Sequence, residues 1–334
     1  MNNFEKNSTL LVTGGTGSFG KSLVKNVLNS NLGEIRIFSR DEEKQDKMRS
    51  EFNNPKLKFI IGDIRDFDSV DLATKGVDYI FHAAALKQVP SCEFFPMEAI
   101  KTNVLGINNL IESSVRHQVK KLIALSTDKS VYPINVMGLT KALMEKIALS
   151  RTMLDGNLKP IICITRYGNV MGSRGSVIPA FIKKIKNNET LTITDKNMTR
   201  FMMTLDEAVK LVLFAFENGK QGDTFVQKSP ATNIFTLAQA LCKIHNIKLD
   251  YKLIGPRHGE KKHEVLINRE EMSKTIDIDN YYKIPKDQRN IYYEKYLFEG
   301  IKEIDKVMEY TSENTNQLSI DEMIKKINEM KIYS

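Results

Sequence analysis

"TLLVTGGTGSFGKSLVKNVLNS" (residues 9–30) decides the fold. It reads as a short apolar strand, a glycine-rich turn and a helix-periodic segment in direct succession. Gly14, Gly17 and Gly20 form a TGxxGxxG arrangement. Absent side chains permit a tight turn, let backbone approach a pyrophosphate, and let helix and strand pack closely. The helix start offers unpaired N–H groups to an anion. Thr16, Ser18 and Phe19, set between the glycines, belong to the same loop. Glycines alone can build a turn, but a strand before and a helix after make dinucleotide binding the expectation.

Outward from this unit the alternation continues. "EIRIFS" (34–39), "LKFIIG" (57–62), "VDYIFHA" (77–83), "KKLIALS" (120–126) and "PIICITR" (160–166) read as strands. Helical segments near 42–51, 66–74, 97–118 and 137–154 fill the gaps. Apolar strand runs separated by helices predict a parallel sheet covered on both faces. Right-handed crossovers then give an α/β, doubly wound Rossmann-type fold. From about residue 171 the rhythm loosens. "TLDEAVKLVLFAFENG" (204–219) predicts a helix with a capping box from Thr204 and Glu207. Residues 236–245 and 319–330 predict two more helices, and "DTFVQK" (223–228) a strand returning to the first sheet. The expected division is a dinucleotide-binding Rossmann domain over 1–170 and a smaller C-terminal substrate-binding lobe mainly over 171–330, with segments returning to the first domain. The tyrosine-rich 280–298 segment reads as irregular, placed either for contacts between subunits or over the protein's own core.

At 334 residues the chain can bury a large core. Its 49 Lys plus Arg against 41 Asp plus Glu leave a net charge of +8, but the charges are interleaved, without a long basic run. That disfavours nucleic acid as a partner and suits a phosphate-bearing small ligand. Cys92, Cys163 and Cys242 are widely spaced, and the histidines include no HExxH, so no metal is expected. The N-terminus lacks the apolar run of a signal peptide, and no segment is long and apolar enough for a membrane span. A cytoplasmic enzyme is the expectation.

Past the second strand the chain reads "SRDEEKQ" (39–45). NAD sites commonly place a carboxylate here for the ribose hydroxyls, whereas Ser39 and Arg40 occupy this region with Lys44 a turn later. Arg40 can pair with a 2′-phosphate, so NADP is favoured over NAD; an inward-turned Asp41 would reverse that. Asp63 follows the third strand, suited to accept from an adenine amino group with Ile64 flanking the ring; capping a helix is the alternative. Ala83, Ala84 and Ala85 allow close cofactor approach, or serve packing alone.

The glycine loop, "AAALK", "STDK" and a lysine near the start of the next helix together resemble the extended short-chain dehydrogenase/reductase superfamily. "HAAALKQVPSCEFFPMEAIKTNVLG", "STDKSVYPINVMGLTKALMEK", "RYGNVMGSRGSVIPAF" and "RHGEKKHE" resemble, more narrowly, the inverting UDP-N-acetylglucosamine 4,6-dehydratases of capsule and surface-polysaccharide synthesis. Some relatives of that group carry the name UDP-glucose 4-epimerase. The resemblance implies a UDP-sugar substrate, oxidation at C4, loss of water across C5 and C6, reduction at C6, and inversion at C5. It also implies a homo-oligomer, dimer or hexamer. A simple 4-epimerase is the competing enzyme, and a dinucleotide-sensing regulator the competing non-enzyme.

By the same resemblance Asp128 protonates the leaving C6 oxygen. Lys129 removes the C5 proton, on condition that burial or cationic neighbours lower its pKa. A loop carboxylate beside a surface lysine is the bland alternative. Lys141 holds the nicotinamide ribose, Ser126 or Thr127 donates to the C4 oxygen unless they only turn the strand end, and Asn103 steadies the catalytic helix or caps locally. The superfamily's tyrosine, four residues before the lysine, is replaced by Met137, whose thioether is no base. Lys129 or Asp128, relayed through Thr127 or water, is the leading substitute, with Tyr132 and Tyr167 as candidates. Tyr167, Asn169, Val170 and Lys87 extend the cofactor site; Lys87 and Asn169 also reach the substrate. Arg174, Ser176 and Val177 are expected around the uridine, Arg200 and Arg257 on the diphosphate, and Glu260 on the ribose.

Overall fold

Strand β1 (Thr9–Thr13) is buried over four of its five residues and lies inside a nine-stranded sheet. The structure is a computed structural model and describes residues 4–154, 159–173, 175–287 and 304–330. On one side of β1 lie β2 (Glu34–Ser39) and β3 (Leu57–Ile61), both parallel to their neighbours. On the other lie β4 (Tyr79–His82), β5 (Lys121–Leu125) and β6 (Ile161–Arg166), also parallel. The strand order therefore reverses between β1 and β4. In an open α/β sheet, ligands bind in the crevice outside the carboxyl ends at that point.

Helices α1 (Ser18–Val27), α2 (Glu42–Phe52), α3 (Phe67–Thr74), α4 (Val89–Phe94), α5 (Pro96–Ala99), α6 (Gly106–Arg116) and α7 (Val136–Leu154) connect these strands. Leu23, Val24 and Val27 of α1 fill the core on one sheet face. Ile107, Leu110 and Ile111 of α6, with Met144 and Ala148 of α7, fill the other. The helix expected over 97–118 is instead three pieces: α5, a π-helical stretch at Ile100–Leu105, and α6. Such widened turns gather at functional sites, and this one carries Asn103. The short α4 was hidden in the sequence by the prolines at 90 and 96, which start helices here rather than stop them.

The second half supplies α8 (Val177–Lys186), β7 (Leu191–Ile193), β8 (Thr199–Phe201), α9 (Leu205–Asn218), β9 (Thr224–Gln227), β10 (Ala231–Asn233), α10 (Ile234–Ile244), β11 (Tyr251–Leu253), β12 (Val265–Ile267), α11 (Arg269–Met272), β13 (Ile276–Ile278), β14 (Tyr281–Ile284), β15 (Tyr310–Thr311) and α12 (Ile320–Glu329). The strand expected over 223–228 does return, as β9 parallel to β6. Beyond it β14 and β13 add antiparallel, a closure not read from the sequence. Thr204 and Glu207 make the expected capping box on α9. Helices α8, α10 and α12 share a separate core through Phe181, Leu241 and Ile327. A further cluster of Phe201, Val226, Leu266 and Tyr310 fastens this lobe to the sheet. Of the 280–298 segment, Tyr281 and Tyr282 lie in β14, and residues 288–298 are outside the described residues. No helix among the described residues is long and apolar enough to cross a membrane.

Candidate active site

At the carboxyl end of β1, Gly14 has φ +67°, and a Cβ there would sit 2.8 Å from the backbone N of Ala84. The glycine loop thus rests directly on the small-residue run after β4, which is why Ala83 and Ala84 lie beneath it. Helix α1 begins after Gly17 with no side-chain cap and no acidic residue in its first turn. By contrast, Asp41 caps α2 and Asp66 caps α3. Of these three helices at one sheet edge, only α1 keeps its first N–H groups for a ligand. Thr16 is half-buried, Ser18 exposed and Gly20 buried. Phe19 stacks on Tyr167 with ring centroids 5.5 Å apart.

At the end of β2 the carbonyl and hydroxyl of Ser39 accept from buried Gln45, at 3.0 and 3.1 Å. Arg40 is half exposed, 3.6 Å from Asp63. Asp41 does not turn inward: it accepts from the Lys44 N–H at 2.9 Å and pairs with the Lys44 ammonium, so Lys44 is engaged as well. Asp63 caps no helix. Its two oxygens accept from Arg65 Nε and Nη2 at 3.0 and 2.6 Å. Ile64 is buried against Gly106 of α6. Buried His82, at the end of β4, lies 2.8 Å from the Thr13 hydroxyl through Nδ1, while its Nε2 has no hydrogen-bond partner. Burial pushes its pKa down to about 3, so it is neutral at physiological pH. The sequence reading missed it.

Past β5 the chain enters a tight turn at Asp128–Ser130, capped by Thr127. Asp128 is fully buried and one of its oxygens, Oδ1, accepts from Lys129 Nζ and from the Thr127 hydroxyl, both at 2.9 Å. Its Oδ2 has no hydrogen-bond partner. Burial raises its pKa, and nearby Glu264 adds to that, against the pull of Lys129. Lys129 also lies 3.3 Å from Glu264, which is buried. The condition set on Lys129 is not met: burial works to lower its pKa, but the carboxylates of Asp128 and Glu264 outweigh it and hold the ammonium. Glu264 itself is buried against its charge, yet Lys129, Arg200 and Lys261 keep its pKa low.

The buried Ser126 hydroxyl donates to Glu145. Thr127 alone faces Asp128. Met137 is buried in an apolar cluster with Cys92 and Ala99. Its neighbour Gly138 is indispensable to the turn, since a Cβ there would collide with the Lys129 carbonyl. Lys141 donates to the Leu125 carbonyl at 2.6 Å, and burial lowers its pKa to about 8. Asn103 spends its amide on both backbone groups of Leu86, at 2.8 and 3.0 Å, and on Thr140 at 3.0 Å. It therefore ties the loop after β4 to α7. Tyr132 is exposed and donates to Glu309 at 2.9 Å. Below the turn, Glu145 accepts from Arg166 at 2.9 and 2.6 Å, and Arg166 reaches Glu271 at 2.8 and 2.7 Å.

The second lobe contributes the rest. Arg200 is buried, 3.4 Å from Glu260 and 3.8 Å from Glu264. Glu260 also accepts from the Arg257 N–H at 3.1 Å, while the Arg257 side chain is exposed. Lys261 donates to the Val131 carbonyl, fixing the end of the turn at Asp128–Ser130. Asn169 Oδ1 and Ser176 Oγ are buried without hydrogen-bond partners. Val170 bridges to Met203, Val177 opens α8, and Lys87 is exposed on the first lobe. Arg174 lies outside the described residues.

The polysaccharide biosynthesis protein family matches residues 10–286, and its C-terminal companion matches 287–332. A protein of Rickettsia bellii (strain RML369-C) named UDP-glucose 4-epimerase is 57% identical over 94% of each chain. The solved structure of Pen from Bacillus thuringiensis superposes with a TM-score of 0.87 and 34% identity, over 97% of this chain and 99% of that one. DesIV, a dTDP-glucose 4,6-dehydratase from Streptomyces venezuelae, shares the fold at a TM-score of 0.69 and 22% identity, over 76% and 86% of the two chains.

Proposed function

The chain belongs to the polysaccharide biosynthesis family of nucleotide-sugar dehydratases and epimerases, within the extended short-chain dehydrogenase/reductases, and we propose that it is a UDP-N-acetylglucosamine 4,6-dehydratase inverting C5. The observation that carries this reading is the buried Asp128–Lys129–Glu264 cluster at the end of β5, beside a tyrosine position filled by a buried methionine. Proton-transfer groups beyond those of a simple C4 oxidation and reduction are what an elimination requires.

The residues fit a nicotinamide dinucleotide. The glycine loop packs tightly on the Ala83–Ala84 backbone, α1 has a bare N-terminus, and Asn169, in the loop after β6, keeps a buried oxygen without a hydrogen-bond partner. When bound, that cofactor supplies the oxidation at C4 and the return of the same electrons to C6. NADP is the favoured form, because Arg40 stands at the end of β2 while Asp41 is spent on its helix cap. Lys141 holds its nicotinamide ribose.

For the elimination, a proton passes from Lys129 to Asp128 across their 2.9 Å contact, leaving an amine and an acid. Lys129 takes the C5 proton. Asp128 gives its proton to the C6 oxygen, which departs as water, and the pair returns to ammonium and carboxylate. Burial of Asp128, which raises its proton affinity, favours this acid role. The C4 hydroxyl proton leaves first, without a tyrosine, through the Thr127 hydroxyl, which donates to Asp128 at 2.9 Å. It passes on to solvent, so that ammonium and carboxylate are restored before the elimination. After C6 is reduced, C5 regains a proton from solvent on the opposite face. Arg200 and Glu260, already paired, are the second lobe's grip on the diphosphate and ribose.

The second reading, a UDP-glucose 4-epimerase, is favoured by the name of the Rickettsia relatives. One experiment separates them: NMR of the product after incubation with UDP-N-acetylglucosamine or UDP-glucose, without added reductant. The dehydratase gives a C6 methyl group and a C4 ketone with inverted C5. A product that keeps its C6 hydroxyl and differs only at C4 would establish the epimerase instead.

A further inference from the structure

Two buried ionic groups lie near the catalytic turn, and they are finished to different degrees. Around Arg166, both oxygens of Glu145 and both of Glu271 accept hydrogen bonds. Around Lys129, by contrast, Asp128 Oδ2 and Glu264 Oε2 are buried with no hydrogen-bond partner. Buried polar atoms in folded proteins are rarely left so, and exceptions point to a ligand or a reaction. Glu264 is also held rigidly. Its backbone N–H donates to Ser312 Oγ at 2.9 Å, and its carbonyl accepts from the Ser312 N–H at 2.8 Å. Ser312 is itself buried and bonded to Thr199 at 2.7 Å. The segment entering β12 therefore delivers one fixed carboxylate to the turn at Asp128–Ser130.

An ammonium has three N–H donors. Lys129 Nζ meets Asp128 Oδ1 at 2.9 Å and Glu264 Oε1 at 3.3 Å, which uses two directions. Resting on the dehydratase reading of the Asp128–Lys129 pair, we propose that Glu264 is a positioning residue: it holds the Lys129 nitrogen from the second lobe and leaves its third direction for the sugar. It also fixes when Lys129 becomes a base. The charged groups facing Lys129 are Asp128 on its own turn, Glu264 before β12, and the cations Arg200 and Lys261. The cations oppose Glu264, whose single negative charge lies within ion-pair distance. Removing that charge makes the proton easier to lose.

The test uses the full chain and needs no sugar. The rate at which Lys129 is acylated by a small reagent is followed against pH by peptide mass spectrometry, in the wild type, Glu264→Gln and Glu264→Asp. Glu264→Gln keeps the shape and an acceptor but loses the charge, and its half-reaction pH should fall by at least about one unit, the scale of a close charge partner. Glu264→Asp keeps the charge and should track the wild type, which also serves if the glutamine variant fails to fold. With UDP-N-acetylglucosamine, the ascending limb of turnover against pH should move down in Glu264→Gln by the same amount. An unmoved labelling profile in Glu264→Gln, or an equal shift in Glu264→Asp, overturns the proposal. Because labelling is independent of turnover, failure to form a 6-deoxy product would defeat the dehydratase reading alone.

Discussion

The glycine loop after β1 and the ionic cluster around Lys129 both lie past the carboxyl ends of sheet strands but are built in opposite ways. The loop is contiguous, and its work falls to backbone: a positive φ at Gly14 and the uncapped start of α1. The cluster is made of side chains from the β5–α7 turn, from β8 and from the segment entering β12. A loop of the first kind binds whatever phosphate the fold offers it. A cluster of the second kind exists only when distant parts of the chain are in register, so it can be specific to one reaction.

That contrast predicts separable losses. The largest is expected from Lys129→Ala, which should lower turnover by about 1,000-fold or more and abolish exchange of the sugar C5 hydrogen with deuterated solvent. Nucleotide binding, measured by fluorescence or calorimetry, should be unchanged; exchange that persists would remove Lys129 from the mechanism. Next, Gly14→Val places a branched side chain at positive φ and against Ala84. It should weaken nucleotide binding by at least about 30-fold, from the strain cost of a left-handed residue plus the lost approach, while the pH profile of Lys129 labelling stays put. A joint loss of both would mean the two sites are coupled.

A smaller effect is expected at the adenine end. Arg40→Ala should cost about 10-fold in NADP affinity, the scale of one charge-assisted contact, and leave NAD affinity nearly constant. Equal wild-type affinities for the two nucleotides would dismiss the role given to Arg40. The smallest concerns Lys141, whose pKa burial lowers to about 8. Its positive charge is present below that pH and fades above it, so nucleotide affinity should drop by about fivefold between roughly pH 7 and 9, an effect of about 1 kcal/mol. Lys141→Met should be indifferent to pH over that range.

The same contrast explains what could be read in advance. Strand β2 was legible to the residue, and the capping box of α9 to the atom, because both are local patterns. The π-helical stretch was not, since one extra residue per turn leaves no mark on composition. At the site, Asp128, Lys129 and Lys141 could be found from a motif, but their states could not. Whether Lys129 is amine or ammonium is set by burial and by the carboxylates of Asp128 and Glu264, and only the folded chain brings Glu264 within 3.3 Å. The partner of Ser126 was hidden for the same reason, because Glu145 lies 19 residues away on α7. His82 looked like a strand residue with no further interest until Thr13 was found against it.

Arg166 carries a consequence for anyone recombining such chains. Its guanidinium is clamped between Glu145 of α7 and Glu271 of α11, one carboxylate from each half of the molecule. Splicing the C-terminal half of a relative onto this N-terminal half would leave Arg166 paired with Glu145 alone unless the graft brings an acid at 271. Hybrids should therefore inherit Glu145, Arg166 and Glu271 together, and those that lose the acid at 271 should be less stable than those that keep it.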